Sequence, residues 1–206
     1  MNLLTRCVRA RGRRAACFGF FLALAGLRCA TPPIDAPDTS LASLAPAPEV
    51  FAPKQGILRV EEGVLVNGAA PEPCVSLLPD FQAADLDIEA ELEFSGKGAP
   101  GLVFGATVVE GTIQSMCVLA LHAKGVTLWR LDRFGWMAVE NHVFAVEPNA
   151  RHSLRARVAA DKIAVAYEGE QLFVAKDAFL NTPGHAGVRA VDGLCRFHAL
   201  RARSLD

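Results

Sequence analysis

Asp85-Leu-Asp-Ile-Glu-Ala-Glu-Leu-Glu-Phe94 decides the fold. Leu86, Ile88, Ala90, Leu92 and Phe94 fall on one side of an extended chain, and Asp85, Asp87, Glu89, Glu91 and Glu93 on the other. A period of two with acids on one face describes an antiparallel strand with one side in a core and one in water. Outward from this stretch the same cadence runs from about Leu58 to the C-terminus. A first strand is predicted from Leu58 to Val66 and a short one from Cys74 to Leu78, ended by Pro79-Asp80. Beyond Phe94, strands are predicted over Gly101–Val109, Ile113–His122, Val126–Leu131, Trp136–Phe144 and His152–Ala159. Ile163–Tyr167, Gln171–Ala175, Ala186–Ala190 and Leu194–Arg203 complete the series. Asn67-Gly68, Lys124-Gly125, Glu168-Gly169 and Asp192-Gly193 are turn signals between them. Strands at this spacing predict an all-β sandwich or jelly roll of two antiparallel sheets. The one helical candidate, Asp177 to Leu180, amounts to a single turn.

The 206 residues suit one domain preceded by a leader. Arg6, Arg9, Arg11, Arg13 and Arg14 form a basic start, and Ala15 to Leu27 is an uncharged apolar run too short to span a bilayer comfortably. Residues 1–28 therefore read as a signal peptide, with Ala23-Leu24-Ala25 as a cleavage site. A lipoprotein reading would acylate Cys29, although Arg28 departs from a lipobox. Residues 29–55 are rich in Pro and Ala and read as a linker, and 56–206 as the folded domain. The expected location is outside the cytoplasm: periplasm, cell envelope or extracellular space, with membrane contact only through a lipid on Cys29.

Cleavage before Cys29 removes six of the 21 basic residues and no acids, leaving 15 against 22. An acidic chain without a basic stripe is not expected to bind nucleic acid. Three cysteines remain in the domain, Cys74, Cys117 and Cys195, without zinc-ligand spacing. One disulfide between Cys74 and Cys195, near the two ends of the domain, and three buried thiols both fit the pattern.

The order of the motifs resembles a known family. Asp85-Leu-Asp-Ile-Glu-Ala-Glu is followed by Gly101-Leu-Val-Phe, Val118-Leu-Ala-Leu and Leu128-Trp-Arg. Arg151-His-Ser-Leu-Arg, Ala166-Tyr-Glu-Gly-Glu, Pro183-Gly-His-Ala-Gly-Val-Arg-Ala and Cys195-Arg-Phe-His-Ala-Leu-Arg come next. Over about Leu58 to Leu205 this resembles the concanavalin A-like jelly roll, and within it the domain family named for 3-keto-disaccharide hydrolases. The resemblance implies two curved sheets, one with a concave face, acting on or binding saccharides. It also implies a positive-φ turn at Gly169, and glycines 184 and 187 at the start of the penultimate strand. Where the family often carries a Glu and a Gln facing the concavity, this chain has Val118 and Ala120 within Cys117-Val-Leu-Ala-Leu121. A calcium ion follows from the fold analogy alone; no Asp-x-Asp-x-Asp-Gly loop supports it.

Two groups of residues could carry chemistry. Asp85-x-Asp87-x-Glu89 has the spacing of the acidic motif of laminarinase-type glycoside hydrolases, but Glu91 and Glu93 continue it, as on a solvated strand face. His122, Trp129, Arg130, Asp132, Arg133 and Trp136 gather around one hairpin and its loop. Aromatic faces and forked donors are what a sugar site uses. His142, His152, His185 and His198 are scattered, and Ser153 has no nucleophile elbow. The expected partner is a saccharide or an envelope component. Three functions fit these residues: a non-catalytic binding domain, a hydrolase or lyase of 3-keto-glycosides, and a structural envelope domain.

Overall fold

The computed structural model describes residues 41–47, 49, 56–67, 72–177 and 182–205. The signal segment, Cys29, Gly68 and residues 178–180 of the helical candidate lie outside the described residues. A 3-10 turn at Leu41–Ser43 precedes β1 (Ala45–Pro46), β2 (Leu58–Glu61), β3 (Val64–Asn67), β4 (Cys74–Ala83) and β5 (Leu86–Phe94). The central strands are β6 (Ala99–Val109), β7 (Thr112–His122), β8 (Gly125–Asp132) and β9 (Gly135–Val143). The chain finishes with β10 (His152–Ala159), β11 (Lys162–Tyr167), β12 (Glu170–Lys176), β13 (Gly184–Val191) and β14 (Cys195–Ser204). No helix among the described residues is long and apolar enough to cross a membrane.

All neighbouring strands are antiparallel, and they form two seven-stranded sheets. One, here the front sheet, has the order β1-β4-β13-β6-β7-β8-β9; the back sheet has the order β12-β11-β10-β5-β14-β3-β2. This is the jelly-roll sandwich that the cadence predicts. Leu86, Ile88, Leu92 and Phe94 on the back sheet and Leu102, Phe104, Leu119 and Leu121 on the front sheet share one buried core. Alternation places these side chains inside and their sequence neighbours outside.

Two predicted strands differ in detail. Leu58 to Val66 is a hairpin rather than one strand, because Glu62 and Gly63 take φ of 51° and 81° between β2 and β3. Pro79-Asp80 does not end its strand. The break expected there is a register shift: His185 faces Gln82 while Gly187 faces Leu77. At Gly187 the backbones come so close that a Cβ would lie 2.1 Å from the Ser76 carbonyl oxygen.

The linker boundary also moves. Ala45 and Pro46 pair with Leu77 and Ser76, Leu41 and Ala47 are buried, and Glu49 is buried and bridges to Ile113. These residues of the Pro/Ala-rich segment are therefore part of the domain, because their few apolar side chains and one acid find partners on it. Cys74, Cys117 and Cys195 are free and buried, so the Cys74–Cys195 bridge is replaced by the three-thiol arrangement. Burial, joined by the charge of Asp177 for Cys117, pushes the Cys117 and Cys195 thiols up to about 12.

The acid face of β5 is not solvated as expected. Asp87 is fully buried and accepts from Arg155 Nε at 2.7 Å and Nη2 at 2.6 Å, with Arg203 Nη2 at 3.1 Å. Glu93 takes Arg196 at 2.6 Å and His198 at 3.2 Å. Glu89 accepts from Ser153 at 3.0 Å. The bases reach Asp87 and Glu93 because the flanking strands β10 and β14 carry arginines on the same face. Removing one partner of a buried pair strands the other charge. Asp87→Ala is expected to cost about 3 kcal/mol of stability in urea denaturation; an unchanged midpoint would contradict this reading of the pair.

Candidate functional site on the front sheet

The central strands of the front sheet alternate large and small. Leu102, Leu119 and Leu121 enter the inter-sheet core, while Ala99, Gly101 and Ala120 face outward. Register lines up Arg189, Gly101, Ala120, Thr127 and Asn141 in one row across five strands. The middle of this face is therefore low and its flanks are tall. A cleft of about 440 Å³ results, with Ala99 and Ala120 among its lining residues. His122, Trp129 and Trp136 line it from β7, β8 and β9, and Arg189 and Val191 from β13. Lys97 and Asp192 complete the lining from two turns joined by the Ser95 N–H to Leu194 carbonyl bond of 2.8 Å. Below the cleft a second apolar cluster, including Val75, Val103, Met116, Val118 and Leu131, seals the outer face.

The face is concave, and one contact proves it. The Arg189 guanidinium sits 4.5 Å from the centre of the Trp136 ring. Their strands are separated by β6, β7 and β8, four spacings of about 4.8 Å. Two side chains meet over that distance only if the sheet curls toward them. Arg189 is in turn held by Glu49, with Nε donating to Oε1 at 2.7 Å and Nη2 to Oε2 at 3.5 Å. Glu49 is 2% exposed, so the Pro/Ala-rich segment braces one wall of the cleft.

His122 has an assigned tautomer. Its Nδ1 accepts the Lys124 backbone N–H at 3.2 Å, which leaves the proton on Nε2. Nε2 donates to Thr127 Oγ1 at 2.9 Å, and Thr127 donates to Asn141 Oδ1 at 2.9 Å. Burial first and the Lys124 charge second lower its pKa below the usual value of 6.5. The imidazole is thus neutral near pH 7, and the cleft receives an uncharged ring whose two nitrogens are already hydrogen-bonded.

Three of the six predicted cluster residues meet here: His122, Trp129 and Trp136. Arg130, Asp132 and Arg133 do not. Successive residues of a strand point to opposite faces, so Arg130 leaves the side that Trp129 occupies. It reaches buried Asp177 at 3.0 and 3.2 Å, and its Nε lies 3.3 Å from Asp132. Asp132 accepts the Phe134 N–H at 2.8 Å and shapes the hairpin turn, and Arg133 stacks 4.6 Å from the exposed Phe134 ring. Proximity in sequence grouped these residues; strand parity separates them. Val118 and Ala120 do face the concave side, Ala120 lining the cleft and Val118 in the apolar cluster below.

The other candidates lie elsewhere. Asp87 and Glu89 sit on the outer face of the back sheet, Asp87 paired with Arg155 and Glu89 accepting from Ser153. His152 is held by Tyr167 at 2.8 Å and the Glu147 carbonyl at 2.8 Å, and His185 by Gln82 at 2.8 Å. His142 packs against Phe144 and Phe173, and Ser153 serves Glu89. Among the described residues no group of three or more His, Cys, Asp or Glu is placed to hold a metal ion. Sequence reading missed Glu49, Lys97, Arg189 and Asp192. Arg189 was legible in part, since it lies two residues from Gly187 in the quoted glycine-rich strand; Glu49 was hidden in composition that reads as spacer.

Comparison with known proteins bears on the fold. No protein-family model matches the chain, and no curated protein resembles it in sequence. Solved structures do. The carbohydrate binding module CBM66 from Bacillus subtilis aligns with a TM-score of 0.66 and 13% identity, over 84% of this chain and 100% of that one. A Bacillus subtilis protein of galectin-like fold aligns at TM-score 0.55 and 11% identity, over 72% and 86%. The kappa-carrageenase from Pseudoalteromonas carrageenovora aligns at 0.54 and 10%, over 77% and 88%. These likenesses show the fold alone, a jelly-roll sandwich of two antiparallel sheets.

A histidine whose folded pKa is lowered loses stability as pH falls through its unfolded value, because the unfolded chain takes the proton first. Histidine NMR is expected to show His122 as the Nε2–H tautomer with a midpoint below 6.5. A midpoint at or above 6.5 would contradict the burial assigned to it.

Proposed function

We propose that this protein is an exported carbohydrate-binding domain that holds a saccharide in the concave cleft of the front sheet. One observation carries the reading: a curved face with a floor of small residues, walled by Trp129, Trp136 and neutral His122. Sugar rings present apolar C–H faces that stack on aromatic rings, and their hydroxyls take donors and acceptors at the edge. Lys97, Arg189 and Asp192 are placed to supply those at the rim. The fold's likeness to a carbohydrate binding module agrees with this reading without establishing it.

Catalysis would need a proton donor and a second carboxylate, base or metal close by. Among the described residues lining the cleft, Asp192 is the one carboxylate, and Ala120 stands where the resembling family carries a polar group. Binding without bond cleavage is therefore the reading argued here. The second reading, a hydrolase or lyase of 3-keto-glycosides, rests on the order of the sequence motifs. Export through residues 1–28, with or without acylation of Cys29, belongs to the same proposal and would place the cleft among envelope or extracellular glycans. A purely structural envelope role is the outcome if no saccharide binds.

A glycan panel that includes 3-keto-disaccharides distinguishes these. The purified protein is expected to bind at least one saccharide without turning it over, and Trp129→Ala to weaken that binding at least tenfold with the fold retained. Removing one aromatic platform costs about 1–3 kcal/mol in stacked complexes. Release of product from a 3-keto-disaccharide would establish the second reading. Binding that survives in Trp129→Ala would remove the cleft from the account.

A further inference from the structure

One end of the outer face of the back sheet, over β10 to β12, carries positive charge that the cleft does not use. Register arranges it in rows. Arg203, Asp87, Arg157 and Ala164 lie side by side across β14, β5, β10 and β11. The next row is Arg201, Glu89, Arg155 and Ala166, continuing to Gln171 on β12. Each acid thus lies between two arginines. At the end of the face Lys162 and Lys176 stand directly opposite each other on β11 and β12. Like charges at paired positions oppose sheet formation, so this pairing is unfavourable unless something anionic relieves it.

Six cations therefore share this part of the face with Asp87 and Glu89, and they remain in surplus when Glu91 of the next row and Asp85 and Asp161 at the turns are added. The chain as a whole is slightly acidic, with 21 basic against 22 acidic residues, so the surplus is local. Arg157, Lys162 and Lys176 are exposed and make no ion pair among the described residues. A trough of about 240 Å³ opens beside them, lined by Arg155, Arg157, Ala164, Val165, Ala166 and Gln171. It exists because β11 offers only alanine methyls between the long side chains of β10 and β12.

We propose that this trough and its lysine rim form a second binding site, for an anionic polysaccharide bearing carboxylate or sulfate groups. Guanidinium forks match planar or tetrahedral oxyanions, the Gln171 amide suits hydroxyls, and the alanine floor lets a sugar chain lie close to the sheet. No aromatic side chain lines the trough. That disfavours single-stranded nucleic acid, which wants stacking platforms, and a membrane surface, which wants apolar wedges. The site lies on the sheet opposite the cleft, so both can be filled at once.

Isothermal titration of the purified protein with polygalacturonate, dextran sulfate, neutral dextran and anionic phospholipid vesicles tests this. At least one of the two polyanionic saccharides is expected to bind, more weakly as salt rises, while neutral dextran does not. The combined variant Arg157→Gln, Lys162→Gln, Lys176→Gln is expected to lose that binding at least tenfold with its melting temperature unchanged or raised, and Trp129→Ala to keep it. Titration of Lys97→Gln serves as a second control, changing one cation at the cleft alone. Absence of polyanion binding, equal binding by the triple variant, loss of binding in Trp129→Ala or Lys97→Gln, or binding to vesicles alone would each overturn the proposal.

Discussion

The alternation of large and small side chains on β6 and β7 is the constraint on which the rest depends. Leu102, Phe104, Leu119 and Leu121 must enter the inter-sheet core, and this fixes Ala99, Gly101 and Ala120 on the other side. A slip of one residue would exchange the two sets and leave four bulky groups in water. The same alternation thus closes the core and hollows the opposite face. Curling of the sheet then brings Arg189 over Trp136, and Glu49 holds the pair in place. The cleft is a consequence of packing rather than an addition to it.

The two sheets treat charge differently. On the back sheet, Asp87 and Glu93 are paired with arginines across strands, and Asp87 can be fully buried because Arg155 meets it with two donors, while Arg157, Lys162 and Lys176 stay in surplus. The front-sheet cleft keeps few charges, and one of them, Arg189, is stacked and paired. An aromatic, weakly charged hollow suits a ligand held by ring faces. A carboxylate dyad of the glycosidase kind would need acids that this chain has placed on the other sheet and tied to arginines.

Much of the fold was legible because period-two patterning is a direct record of burial. Asp85 to Phe94 and His152 to Ala159 read as strands to within a residue. What failed had physical causes. Pro79 reads as a stop, yet a register shift accommodates it; Glu62-Gly63 reads as mid-strand, yet two positive-φ residues make a turn. The site was half legible. His122, Trp129 and Trp136 share parity or a facing register, whereas Arg130 sits next to Trp129 and so points away. The solvated acid face was misread because a single strand does not show which bases its neighbours will present. Glu49 could not be found from local pattern, since its partner Arg189 is 140 residues away.

The most direct measurement follows the two indole N–H resonances, since the chain has only two tryptophans. The protein would be titrated with the saccharides it retains from a mixed glycan pool. Both indole signals are predicted to shift together and saturably, with back-sheet amides such as those of β11 unmoved by a neutral ligand. A neutral saccharide that binds while both indoles stay still would contradict the claim that the concave face of the front sheet holds the ligand.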